Sequence, residues 1–149
     1  MVPELVEAGL MDEGDHTREW LCTLASVVRP RTKHLGDVAG ICSMVFATAE
    51  SLTYEDKAVS KGLAKEGMGA ILDAAKAALE GVDEWTAANI DAALEPLPEQ
   101  MDLKKRVVFQ AVRVAVCGNM VSPPLGETMA LVGRDDCLAR IDRARTMAL

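Results

Sequence analysis

From residue 103 to residue 141 apolar side chains recur every three or four positions, and the rhythm breaks at only two places. That spacing belongs to helices with one buried face. The first helix runs from Leu103 to Cys117, with Leu103, Val107, Ala111 and Val114 as its stripe. Gly118 ends it, because glycine accepts the left-handed conformation that closes a helix. After Gly118 the chain restarts at Ser122-Pro123-Pro124, which reads as a cap followed by two prolines in the first turn. Proline is tolerated there because those N–H groups have no intrahelical acceptor. Gly133 closes this second helix, and a last one runs from Asp135 to about Ala148.

The same punctuation organises the rest of the chain. Pro3 to Ala8 is a short helix closed by Gly9. Asp15 caps a second helix with the stripe Trp20, Leu21, Leu24, Val27 and Val28, which stops before Pro30. A third spans Thr32 to Ala49 through Leu35, Val38, Cys42, Val45 and Phe46. A connector at 51–54 precedes helices at 55–63 and 67–79, and Thr86 caps another that reaches Leu94 before Pro96 and Pro98. No stretch alternates convincingly as a strand. Aromatic residues make up only 3% of the chain, so its core is Leu, Val, Ile, Ala and Met. The expected fold is all-α, about eight helices in two small subdomains, residues 1–58 and 59–149.

Several chemistries are disfavoured. The longest apolar stretch, Gly40 to Ala49, is far short of the roughly 20 residues a membrane span requires. The N-terminal stretch is acidic rather than basic and apolar, so a cytoplasmic protein is expected, without membrane contact. Cys22, Cys42, Cys117 and Cys137 are never at CxxC spacing, which favours structural free thiols over a zinc site. The glycines at 62, 67, 69 and 81 are scattered, not gathered into a phosphate-cradling loop. Acidic pairs such as Asp135-Asp136 stand at helix starts, where the helix dipole favours a carboxylate. No catalytic residue and no metal ligand is assigned.

The charge is uneven. Residues 1–102 carry 8 basic and 19 acidic side chains, net −11, whereas residues 103–149 carry 8 basic and 4 acidic, net +4. A second basic spot, Arg29-Pro30-Arg31-Thr32-Lys33-His34, lies within the acidic part. Concentrated basic spots on an acidic body bind a polyanion in a defined place. Arg106, Gln110 and Arg113 fall at i, i+4 and i+7 and share a helix face that leads into the Gly118–Pro124 corner. On spacing alone, such a face is more often simply solvated. The corner gives it more interest: arginine forks suit phosphates and base edges. A rigid proline corner, with Pro123 and Leu125 as apolar supports, suits unstacked single-stranded bases. Arg31 is the second candidate.

The stretches VVRPRTKHLGDV, YEDKAV, DEWTAANIDAAL and VRVAVCGNMVSPPLGETMALVGRDDCLARI, in that order, resemble the C-terminal anticodon-binding region of bacterial glutamyl-tRNA synthetases. There the last stretch reads like LRxAxTGxxxSPPLFExxxLLGxExxLxRL. The resemblance runs nearly end to end and implies an all-α anticodon-binding fold. The HIGH-like and KMSKS-like motifs of the catalytic domain are absent. The chain is therefore expected to be a non-catalytic, monomeric piece of a longer glutamate–tRNA ligase, with no cofactor of its own. ATP and Mg belong to the parent enzyme.

The resemblance implies that Arg31 contacts the third anticodon base and helps separate glutamate tRNA from glutamine tRNA, although some relatives charge both. It implies further anticodon contacts from Arg113, Ser122, Pro123 and Leu125. Arg29, Arg106 and Gln110 are the secondary candidates from the residue reading. Two positions depart from the family pattern: Cys117 stands for the usual threonine and Gly126 for a common phenylalanine. Gly126 is expected to loosen the corner. The competing readings are a helical protein–protein interaction domain, which would display a large exposed apolar patch, and a free-standing paralogue.

Overall fold

The computed structural model describes residues 2–9, 16–31 and 37–149, leaving aside the side chains of Val2, Glu4, Arg31 and residues 37–41. Its elements are α1 (Val2–Glu7), α2 (Arg18–Val28), a 3-10 turn (Arg29–Arg31), α3 (Asp37–Phe46), α4 (Asp56–Gly62) and α5 (Met68–Glu80). They are followed by α6 (Ala87–Leu94), α7 (Leu97–Gln100), α8 (Lys105–Cys117), α9 (Leu125–Val132) and α10 (Arg134–Arg145). No strand occurs among the described residues, as the apolar spacing requires.

Local chemistry accounts for most of the boundaries. Thr17 caps α2, its hydroxyl accepting the Trp20 N–H at 3.2 Å. The expected cap, Asp15, lies outside the described residues, as does the expected start of the third helix at Thr32. Thr86 caps α6, as anticipated, by accepting from the Asn89 N–H at 3.3 Å. Pro96 and Pro98 end α6 but also open the extra turn α7, since proline is well suited to a first turn. Gly118 closes α8 at φ +70°, with its N–H on the Val114 carbonyl at 2.8 Å.

Helix α8 runs through the main core and packs against α4, α5, α7 and α10. Val108, Ala111, Val112, Val114, Ala115 and Val116 are all fully buried. The one-faced stripe expected from sequence is therefore too narrow: helices cover α8 on several sides, while Leu103 at its N-terminal approach is 38% exposed. Leu63, Ile71, Leu72, Leu79, Ile90 and Ile141 are among the other side chains of this core. Each such side chain contributes about 1.5–3 kcal/mol when removed from water. A second, smaller core gathers Leu5, Leu24, Val27, Val28 and Cys42, and it includes Leu131 from α9. Trp20 links α2 to the same helix by donating its ring N–H to the Leu131 carbonyl at 3.3 Å.

A fully buried arginine joins the two parts. Arg140 on α10 donates from Nη1 to the carbonyls of Met44 (2.7 Å) and Val116 (2.9 Å), and from Nη2 to the carbonyl of Ala47. Its Nε and Nη2 meet Asp136 Oδ2 at 2.8 Å, while Asp136 Oδ1 accepts the Ala49 N–H at 2.9 Å. One turn later, Arg143 donates to the carbonyls of Ala49, Glu50 and Leu52 and lies over the Tyr54 ring. Tyr54 in turn donates to the Ala115 carbonyl at 2.7 Å. The irregular segment 47–54 is thus stitched to α8 and α10 along its length. Replacing Arg140 by Met strands three carbonyls and a carboxylate, so Arg140→Met is expected to cost about 3–5 kcal/mol. The shift in urea midpoint checks this; a midpoint close to wild type would show that the staple is dispensable.

Candidate functional site

The corner between α8 and α9 is fixed from both sides. The Gly118 carbonyl accepts the Glu55 N–H at 2.9 Å. A side chain at 118 would run into the Thr53 carbonyl, so the sequence uses glycine for two reasons, the left-handed φ and the close approach. Asn119 then works in both directions. Its Nδ2 donates to Glu55 Oε1 at 2.7 Å and its Oδ1 accepts the Val121 N–H at 3.1 Å. From α8, Gln110 Nε2 donates to the Met120 carbonyl at 3.0 Å, and Arg113 Nε donates to Ser122 Oγ at 3.0 Å. Ser122 passes its own hydroxyl hydrogen to the Pro123 carbonyl at 2.8 Å.

This geometry changes the role expected of Ser122. Its hydroxyl is engaged by Arg113 and Pro123 and does not cap α9. The helix begins at Leu125 after an extended Pro124 (φ −48°, ψ 132°). A residue followed by proline is disfavoured in the helical region, so Pro123 cannot open the helix ahead of Pro124. Asp91 of α6 serves the N-terminus instead by accepting the Gly126 N–H, and this bond opposes the burial that pushes its carboxyl above the usual range.

Between the corner and segment 43–55 lies a cleft of about 730 Å³. Thr53, Glu55, Asn119, Val121, Ser122 and Pro123 are among its lining residues. Arg113 stands behind Ser122, half-buried, and none of the described residues accepts from its Nη atoms. Buried Cys117 adjoins both: burial raises its thiol pKa, while the Ser122 hydrogen bond and the Arg113 charge pull the other way.

The expected site residues therefore separate. Arg113, Gln110, Ser122 and Pro123 meet at the corner, where Pro123 borders the cleft but is itself buried. The Gln110 amide is occupied there in holding Met120, and Arg106 is exposed one turn earlier on α8. Leu125 is only 4% exposed and packs in the main core, so it anchors the corner from below and presents no face to a base. Arg29 is exposed at the end of α2. The backbone of Arg31 lies in the adjoining 3-10 turn, and its side chain lies outside the described residues. The positive surplus of residues 103–149 is exposed at Lys104, Lys105 and Arg106 around the start of α8, but on α10 its arginines are committed to partners. Arg134, Arg140 and Arg143 bond to backbone carbonyls and Arg145 to Asp73, so α10 is a structural helix and not a basic face.

Residues 2–145 match the family model described as an anticodon binding domain. The chain belongs to that family. It is 44% identical over 132 residues to a glutamate–tRNA ligase of Corynebacterium diphtheriae, spanning 88% of this chain and 26% of that protein. A Mycolicibacterium smegmatis glutamate–tRNA ligase is also 44% identical, over 122 residues, with 81% and 24% covered. The chain thus spans about a quarter of the length of these relatives, and it is homologous to their C-terminal region. A glutamate tRNA ligase from Elizabethkingia meningosepticum, solved in complex with its amino acid, shares the fold with a TM-score of 0.83 at 18% identity, over 97% of this chain and 28% of that one.

Within this anticodon-binding domain, Gly126 tightens the corner, contrary to the loosening expected from the missing phenylalanine. A Cβ there would lie 2.7 Å from the Ala87 carbonyl oxygen and would displace the Asp91 carboxylate. Glycine lets α9 press its backbone onto α6. Glu55, Asn119 and Arg140 escaped the reading of the sequence. Glu55 belongs to the YEDKAV stretch, but its contact with Asn119 spans 64 positions and has no local signature. Gly126→Ala is expected to lower stability by about 1–3 kcal/mol through overpacking, read as a lower thermal midpoint. An unchanged midpoint would show that α6 and α9 separate freely.

Proposed function

We propose that this domain reads the anticodon loop of glutamate tRNA as the non-catalytic end of a glutamate–tRNA ligase, in the cytoplasm where translation runs. The observation that carries the reading is the corner itself. A half-buried arginine whose Nη donors find no acceptor among the described residues is oriented by Ser122 beside a cleft, in a chain matched to the anticodon-binding family over residues 2–145. A guanidinium fork suits phosphate oxygens or the acceptors of a base edge. The cleft also has the neutral hydroxyl and amide groups that hydrogen-bond splayed bases.

In this reading Arg113 and Ser122 touch anticodon nucleotides, the buried Pro123 and Leu125 hold the corner beneath them, and Arg31 discriminates at the third base. Arg29 and Arg106 contribute charge from exposed positions. Glutamine tRNA is accepted or refused at the same third base. ATP, Mg and glutamate belong to the remaining three-quarters of the parent ligase, and the domain acts as a monomer. The stitched corner lowers the ordering cost of binding, since its backbone is held before RNA arrives.

The test is a fluorescence-anisotropy titration with two anticodon hairpins that differ only at the third base, C or G, at one fixed salt concentration. The C hairpin is expected to bind more tightly. Arg113→Ala should weaken it by roughly 1–3 kcal/mol if a specific base contact is lost. Arg31→Gln should chiefly narrow the C over G preference. No binding of either hairpin, together with capture of a protein partner, would favour an interaction domain instead.

A further inference from the structure

The cleft holds a single charged residue among its described lining, and the charge is negative. Glu55 is exposed at the start of α4, opposite the corner. Its backbone N–H is tied to the Gly118 carbonyl and its Oε1 to Asn119 Nδ2, so the carboxylate is held in place across the mouth of the cleft. Oε1 has a further lone pair, and no described residue donates to Oε2. No lysine or arginine pairs with this carboxylate among the described residues. Nor does it cap α4, whose N-cap position it occupies without a side-chain bond.

A fixed, unneutralised carboxylate is a liability in a cleft that receives a polyanion. It repels a phosphate at any approach. It becomes favourable only against a hydrogen-bond donor, either a ribose 2′-hydroxyl, which every ribonucleotide carries, or a base edge that presents an N–H, which alone distinguishes one base from another. Cytosine N4 is such a donor, and a carboxylate is its natural acceptor. Uracil offers a carbonyl oxygen at the same place and is repelled. Val121, two residues beyond Asn119, strengthens this reading. Val121 is 75% exposed at the cleft lip and is held there by the Asn119 side chain that also holds Glu55. One asparagine thus sets both an apolar shelf for a base face and an acceptor for a base edge.

We propose that Glu55 is a specificity-determining residue that accepts a hydrogen bond from the exocyclic amino group of a cytosine in the bound loop, and that it rejects uracil at that position. This rests on the anticodon-reading function above. It adds to the arginines a second, opposite kind of discrimination, in which one negative group selects an amino-bearing base.

The test uses the 149-residue chain and three hairpins with loop triplets CUC, UUC and CUU. Anisotropy titrations are run for the wild type and Glu55→Gln at the same salt concentration. The wild type is expected to lose about tenfold in affinity on one of the two C-to-U changes, the size of one good base contact. In Glu55→Gln that ratio should fall to within about threefold, because an amide can donate to uracil O4 as well as accept from cytosine N4. Removing a negative charge will also tighten all three hairpins, but that effect cancels in the ratio. Matching thermal melts of the two proteins show that the change is not one of folding. Binding by both proteins with both ratios unaltered overturns the assignment of Glu55 alone. Absence of binding to any hairpin overturns the anticodon-reading function, and this inference with it.

Discussion

The buried guanidinium of Arg140 is the constraint on which the rest of the molecule depends. A charge with no solvent exposure is costly unless every donor finds an acceptor. Here the acceptors come from three separate stretches: the end of α3, the end of α8, and Asp136 one turn back on α10. The requirement to satisfy one side chain therefore fixes the relation of those stretches to one another. Two of them, at Met44–Ala47 and at Val116 next to Cys117, lead directly into the walls of the cleft. The cleft width is set by a residue that does not line it.

The same logic explains how a chain of net charge −7 presents a basic group where one is useful. Most arginines of the last third are consumed by backbone carbonyls or carboxylates: Arg140 and Arg143 serve carbonyl groups of the irregular segment 47–54, Arg134 those of Val82 and Asp83, and Arg145 the Asp73 carboxylate. Arg113 differs from them. Among the described residues only its Nε is engaged, by a neutral hydroxyl that orients the plane and does not compensate its charge. A strong positive field over the whole surface would bind any polyanion. A single oriented fork beside a carboxylate favours one arrangement of donors and acceptors over others.

What could be read from the sequence follows from the range of the forces involved. Helix ends set by local chemistry were legible: Thr86 caps α6, Gly118 ends α8 and Gly133 ends α9. The all-α class followed from apolar spacing, and the meeting of Arg113 with Ser122 from their position on either side of a tight break. Features that depend on distant partners were not legible. Ser122 looked like a cap because its position fits one, but its hydroxyl is taken by Arg113. Leu125 looked like a surface support because it follows two prolines, but the core draws it inward. Gly126 looked like a loss of packing, since the α6 backbone it meets is 35 or more positions away. The basic surplus of α10 looked like surface charge because its acceptors are carbonyls, which composition does not reveal.

Helix α9 connects these observations. Its first residue follows the corner, and the residue before its last, Leu131, enters the small N-terminal core and receives the Trp20 N–H. Eight helical residues at about 1.5 Å each give a rod of about 12 Å. The α2 helix that ends in the Arg29–Arg31 turn is therefore carried by the far end of the same rod that holds Ser122–Pro124 at its near end. Gly126 allows that rod to sit against α6 at backbone distance, and Asp91 fixes its N-terminus. The two basic segments, 82 residues apart from Arg31 to Arg113 in sequence, thus have their relative placement set by one short, doubly anchored helix. A change that tilts α9 would disturb both segments together, whereas a change at either arginine would leave the frame intact.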